Sequence, residues 1–298
     1  MNVQYNPSDL AKINDINIVY DSFGSPGAKP LVLIAGLGDQ LISWPEPFCE
    51  RLAARGYWVI RFDNRDVGLS TRFNDQPLPT LTSLVWNYLR GNPQSAPYTL
   101  ADMAQDVLGL LAHLELESAH VVGGSLGGMI AEMCAIHHAQ HVRTLTVLMS
   151  PASNPWLGLP KPKAIILFKS PPKDRDGYIE HVVKVRRAVR GGGFEFDEAY
   201  VRERAGQMYD RSRELPGTNR QMAALLASLR NLRQSLSTIN VPTLVIHGNR
   251  DPLVPVQHGY HAARVIPKAK RVIIDGMGHE FPAPAWPRVI EAITAHAV

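Results

Sequence analysis

Apolar residues fall along the chain in two alternating patterns. Short runs that are apolar at consecutive positions include LVLIAG (31–36), YWVIRFD (57–63), AHVVGGS (119–125), LTVLMS (145–150), PTLVIHG (242–248) and KRVIID (270–275). Runs of this length, apolar at both parities and rich in Val and Ile, predict strands buried on both faces, as in a parallel sheet. Between them lie stretches with helical spacing. PEPFCERLAARG ends on Gly56, a helix-stopping residue. TLADMAQDVLGLLAHL starts at Thr99 as its N-cap and places Leu100, Met103, Val107, Leu110, Leu111 and Leu114 on one face. AWPRVIEAITAHA closes the chain. At the other end LAKI and INIVYDSF flank Asn14-Asp15, a turn-favouring pair that predicts a hairpin. Strand and helix in alternation predict an α/β fold with helices on both faces of the sheet.

The alternation fails once. Between LTVLMS and PTLVIHG, about 90 residues contain no strand signal. They begin with the proline-rich SPASNPWLGLPKPK, continue through the apolar AIILF, and then carry the helical stretches YIEHVVKVRRAVR, DEAYVRERAGQMYD and NRQMAALLASLRN. We read residues 151–236 as a helical insertion and residues 1–150 and 237–298 as the core that it interrupts. The triple glycine at 191–193 reads as a flexible break between insertion helices.

Composition narrows the class. With 45% hydrophobic and 19% charged residues, the 298-residue chain can bury a substantial core. MNVQYNPSDLAKIND lacks the basic and apolar regions of a signal peptide, and no apolar run reaches the ~20 residues of a membrane span. Cys49 and Cys134, the two cysteines, have no metal-like spacing and read as small buried hydrophobes. Together these features lead us to expect a cytoplasmic protein. The net charge of +4 is unevenly spread. Residues 151–235 hold 16 Lys and Arg against 9 Asp and Glu, a net of +7, which leaves −3 for the remainder. No interleaved aromatics or nucleic-acid motif accompany the basic segment, so we expect no nucleic-acid partner and read the arginines as a solvated helix face.

The candidate chemistry centres on VVGGSLGGMI (121–130). Gly123 and Gly128 have the glycine spacing of a phosphate-binding loop, but Met129 and Ile130 stand where it needs Lys and Ser/Thr. The dinucleotide pattern fails at Ser125, and a membrane packing face would need an apolar 20-mer. What fits is G-x-S-x-G, between an apolar strand and a helical LGGMIAEMCAIHH. A serine on so sharp a turn leaves no room for side chains two residues before or after it, at Gly123 and Gly127. A hydroxyl needs a base to take its proton and an acid to orient that base. His279, in IDGMGHEFP after the last strand, and Asp251, in HGNRDPLVP after the strand before it, occupy the matching positions. The catalytic assignment is Ser125, Asp251 and His279. The oxyanion donors would be the backbone amides of Leu126 and of Leu37, in AGLGDQLISW, with Gly38 as the alternative for the latter.

Other histidines read otherwise. His137 and His141 are four apart on the predicted helix after Ser125, and His258 and His261 three apart on another. Neither pair has a third ligand, so both read as helix-end or solvent-facing residues, and no metal or cofactor is expected. Trp156, Leu157, Ile165, Ile166, Leu167 and Phe168 are candidates either to line an acyl pocket or to pack the insertion onto the core.

With GGSLG, GNRDPLVP and GMGHEFP in this order, the chain resembles the α/β-hydrolase superfamily over nearly its whole length. RFDNRDVGLST (61–71) is similar to the D-x-R-G-x-G-x-S loop of that superfamily, with Asp66 in place of the usual Gly. The DNRD form resembles a carboxylesterase branch that includes aclacinomycin methylesterase. The resemblance implies a mostly parallel eight-stranded sheet flanked by helices, a cap at 151–236 and a structural role for Asp63, Arg65, Gly68 and Ser70. Two departures stand out: Asp66, and Ala35 where many relatives have His before the glycine. The implied activity is hydrolysis of a small to medium hydrophobic carboxylic ester by a serine enzyme. A lactonase, C–C bond hydrolase, perhydrolase, acyltransferase or interfacial lipase would share these residues. A non-catalytic small-molecule binding protein on the same fold remains open as well. Dehalogenase and epoxide hydrolase chemistry use an aspartate where Ser125 stands.

Overall fold

A computed structural model of the chain describes residues 3–76, 96–152, 157–212 and 217–298, together with Thr80, Ser83, Leu84, Trp86 and Arg90. It contains one eight-stranded sheet, formed by β1 (Tyr5–Ile13), β2 (Ile16–Phe23), β3 (Lys29–Ile34), β4 (Tyr57–Phe62), β5 (Ala119–Gly124), β6 (Val142–Leu148), β7 (Thr243–Gly248) and β8 (Lys270–Ile274). Their spatial order is β1-β2-β4-β3-β5-β6-β7-β8. β2 pairs antiparallel with both β1 and β4, and every pair from β4 to β8 is parallel. The expected opening hairpin is present. Asn14 and Asp15 both take positive φ, 46° and 61°, as a two-residue turn of this kind requires.

Both faces of the sheet are covered, which is why its central strands carry no polar parity. Leu31 and Leu33 of β3 pack on one face against α1 (Glu46–Ala53) and α8 (Trp286–His296), through Phe48, Leu52, Val289 and Ile293. Val32 and Ile34 face the other side, toward α2 (Leu100–His113), α3 (Leu126–His137) and α7 (Gln257–Val265), through Met103, Val107, Met129 and Ala262. α2 starts where its sequence predicts. Thr99 Oγ1 accepts from the Asp102 amide while Asp102 Oδ2 accepts from the Thr99 amide, a reciprocal cap.

A helical insertion lies between β6 and β7. A 3₁₀ segment at Pro162–Phe168 precedes α4 (Arg175–Val189), α5 (Glu198–Arg211) and α6 (Thr218–Ser235). α6 returns across the sheet, and its Ala224 and Leu232, with Leu236 just beyond, join the cluster under β3 and β5. Four arginines of this insertion do not belong to a solvated face. Arg186, Arg204, Arg211 and Arg220 reach Asp39, Glu46, Asp63 and Asp66 of the core at 2.8, 2.9, 2.7 and 2.7 Å. Part of the positive charge of the insertion is thus matched to carboxylates of the core. The expected solvated face lies on the same insertion, where Arg175 pairs with Asp210 and Arg202 with Glu180 and Glu198.

Of the histidine pairs, His137 is the exposed last residue of α3 as expected, while His141 and His258 differ. α3 ends at His137, so His141 lies beyond it in a 3₁₀ turn. His258 is buried: its Nδ1 accepts from the Ala152 amide at 3.2 Å and its Nε2 donates to Gly158 O at 3.3 Å. Burial is the first cause that holds this imidazole below its usual range. Cys49 and Cys134 are both buried, and burial pushes each thiol up to about 12. Among the described residues no helix is long and apolar enough to cross a membrane.

Candidate active site

β5 delivers Ser125 at the edge of the sheet on a turn whose shape is fixed by contact. Ser125 sits at φ 53°, ψ −118°, a region a residue with a side chain adopts only under constraint. A Cβ on Gly123 would stand 2.1 Å from Gly127 O, and one on Gly127 would stand 2.2 Å from Ile34 O. Glycine is therefore obligatory at both places. The Ser125 amide donates to Leu148 O at 2.8 Å, and Ser150 Oγ donates to Ser125 O at 2.8 Å. The serine immediately precedes Leu126, the first residue of α3, so its Oγ lies where a helix N-terminus favours negative charge.

The three side chains named from sequence come together. Asp251, 4% exposed, accepts from the Leu253 and Val254 amides through Oδ1, both at 2.8 Å. Its Oδ2 lies 2.7 Å from His279 Nδ1, and His279 Nε2 lies 3.0 Å from Ser125 Oγ. A carboxylate only accepts, so the imidazole proton is on Nδ1 and Ser125 Oγ–H donates to Nε2. The loops beneath are knitted together: Arg250 N–H donates to Met277 O at 3.0 Å, and Asn249 joins Asp275 and Gly276. His247 was not singled out from sequence, yet its Nε2 donates to Val254 O at 2.8 Å and braces the Asp251 turn. Burial keeps it below the usual imidazole range and hence neutral.

The loop after β3 reaches the same place. A Cβ on Gly36 would lie 3.5 Å from Ser125 Cβ. The Gly38 amide is already engaged, donating to Gln221 Oε1 at 2.9 Å. Among the described residues the Leu37 and Leu126 amides donate to no protein acceptor. With Ala35 in place of His, the loop is held by other means: Asn64 Nδ2 donates to Ala35 O, and Arg186 pairs with Asp39.

The D-x-R loop is bonded within the core and does not line the cavity described below. Asp63 accepts from the Leu41 and Leu69 amides, Arg65 grips Asp106 through two nitrogens, and Ser70 Oγ donates to Asp63 O. A Cβ on Gly68 would collide with the Asp63 carboxylate. Asp66 has φ 70°, the conformation that makes glycine usual there, and its carboxylate receives Arg220 and the Tyr98 hydroxyl.

Ser125 and His279 open into a cavity of about 690 Å³. Trp44, Phe194, Phe196, Tyr200 and Phe281 supply its aromatic surface, and Arg186 and Arg204 part of its polar surface. None of Leu157, Ile165, Ile166, Leu167 and Phe168 is among the lining residues. Leu157 packs on the core, Leu167 and Phe168 on Ala164, Val189 and Leu253, and Ile165 is half exposed. Trp156 lies outside the described residues. Nothing in the apolar content of either segment separates pocket from packing; only the path of the chain does. Among the described residues no group of three or more His, Cys, Asp or Glu side chains could hold a metal ion.

The comparisons with known proteins agree with this architecture. The family model for the alpha/beta hydrolase fold matches residues 29–283. Rhodomycin D methylesterases of Streptomyces sp. (strain C5) and Streptomyces peucetius are each 30% identical, over 97% of this chain and 98% of their own. A meta-cleavage product hydrolase of Pseudomonas fluorescens superposes with a TM-score of 0.72 at 18% identity, covering 97% of this chain and 96% of that one. The chain belongs to the α/β-hydrolase family.

Proposed function

We propose that the protein is a serine esterase that cleaves a carboxylic ester of a small to medium hydrophobic substrate. The observation that carries this reading is the continuous relay from Asp251 through His279 to Ser125, opening into an aromatic-lined cavity. Ser125 Oγ attacks the ester carbonyl as His279 Nε2 takes its proton. The tetrahedral oxygen is held by the Leu37 and Leu126 amides, a choice favoured by the engagement of Gly38 with Gln221. His279 returns the proton to the leaving alcohol, then activates the water that releases the acid. Asp251 orients the ring and stabilises its charged form. Residues 151–236 act as the cap that selects the substrate, since α4, α5 and the segment between them supply much of the cavity wall. The similarity to methylesterases supports a methyl ester as the bond cleaved.

The test is hydrolysis of p-nitrophenyl esters from acetate to palmitate and of aryl methyl esters, on the parent and on Ser125→Ala. A window of chain lengths turned over by the parent, with a loss of about 10³-fold or more in Ser125→Ala, is expected. Equal activity of the two proteins would sink the assignment.

A further inference from the structure

The triple glycine after α4 is more than a break between helices. Three hydrogen-bonded links join residues 189–193 of the insertion to the loop that carries His279. The His279 amide donates to Val189 O at 2.8 Å, the Gly193 amide to Gly276 O at 3.0 Å, and the Gly191 amide to Glu280 Oε2 and Oε1 at 2.8 and 3.1 Å. The two backbones are in direct contact. A Cβ on Gly191 would stand 2.3 Å from Gly276 O, one on Gly193 2.2 Å from Gly276 Cα, and one on Gly278 2.2 Å from Gly191 N. Five glycines in two touching segments give close fit but little stiffness, because glycine loses the most conformational freedom on ordering. Of the three links, two are backbone to backbone, and the third is made by a side chain, that of Glu280. This carboxyl is held above its ordinary range, first by burial, against the opposing pull of the Gly191 and Gly278 amides and Arg190.

We infer that Glu280 is a positioning residue. By accepting from the Gly191 amide it fastens the His279 loop to the insertion, so the imidazole keeps its place against Ser125 only while the insertion is seated. The side chain of His279 is bound to the core through Asp251, but its backbone is bound to the insertion through Val189. The base therefore reports the position of both parts. This inference rests on the proposed role of His279 as the base.

The test uses the full chain with Glu280→Ala, Glu280→Gln and Ser125→Ala, reading kcat and KM separately and, independently of turnover, amide hydrogen exchange. Glutamine keeps one acceptor oxygen for Gly191; alanine keeps none. For Glu280→Ala the expected result is a kcat lower by about 10- to 100-fold with KM nearly unchanged, the effect of a small misplacement of the base. Exchange at Gly191, Gly193 and His279 should quicken by about tenfold while β5 stays protected, and Glu280→Gln should restore most of both. A Glu280→Ala protein with a lower melting point but parental kcat and parental exchange at His279 would overturn the inference. Ser125→Ala with full activity would overturn the esterase reading alone, and exchange would still decide the clasp.

Discussion

At Ser125 the restraints are backbone against backbone: a positive φ, two glycines pressed onto carbonyl oxygens, and an amide bonded to the neighbouring strand. Across the cavity the insertion, besides its backbone links at 189–193, is held by side chains, four arginines reaching four core carboxylates. The first kind of restraint is steric and insensitive to pH or salt. The second depends on charge, on desolvation and on both partners being present. One site is thus built from a rigid half and a half whose attachment can be tuned.

The sharpest break in the rigid half is Gly127→Ala. Its methyl group would meet the Ile34 carbonyl, which cannot move without distorting β3, and a loss of about 4 kcal/mol in urea unfolding, or failure to fold, is expected. In the tunable half, Arg220→Ala leaves the fully buried Asp66 carboxylate without its cation and should cost about 3 kcal/mol by the same measurement. Arg175→Ala, which removes a pair about half exposed on each side, should leave the melting temperature unchanged. Equal effects of the two arginine changes would dissolve the distinction between seated and solvated pairs.

Glu132 sharpens the comparison from inside the rigid half. Both its oxygens are buried in α3 without a partner among the described residues, and burial pushes the carboxyl up to about 8. Unfolded, it would ionise near 4.5, so between roughly pH 5 and 8 the folded state binds the extra proton and stability falls as pH rises. Glu132→Leu should remove that slope, at most ~1.4 kcal/mol per pH unit, and raise the melting temperature at pH 8 more than at pH 5. Thermal denaturation of both proteins across this range isolates the effect, because the buried histidines contribute equally to each. Among the glycine changes the mild one is Gly124→Ala. Its Cβ would meet Trp44 at an ordinary 3.6 Å, so stability should shift by less than about 1 kcal/mol.

The same contrast explains how much could be read from the amino acids. Strands, helices and the Ser125 turn are written in local pattern: continuous apolar runs, a Thr99 cap, glycines two residues either side of a serine. Asp251 and His279 were legible because each directly follows a strand. The arginine row was not, since its partners lie 147 to 158 residues apart and no local signal pairs Arg186 with Asp39 or Arg220 with Asp66. Nor was the cavity wall. Phe194 and Phe196 look no more like lining than Leu167 and Phe168, which pack elsewhere. Ser150 and His247 were missed because one hydroxyl just past a strand and one imidazole within another carry no signal of what they brace.

The course of α6 has a practical consequence for recombination between relatives. Its Ala224 and Leu232 belong to the cluster beneath β3 and β5, and the helix is the last one before β7, the parallel neighbour of β6. A chimera that grafts a foreign insertion onto this sheet keeps Thr218–Ser235 parental and places its downstream seam before Gly217. Carried past that point, the graft would exchange part of the scaffold together with the cavity wall.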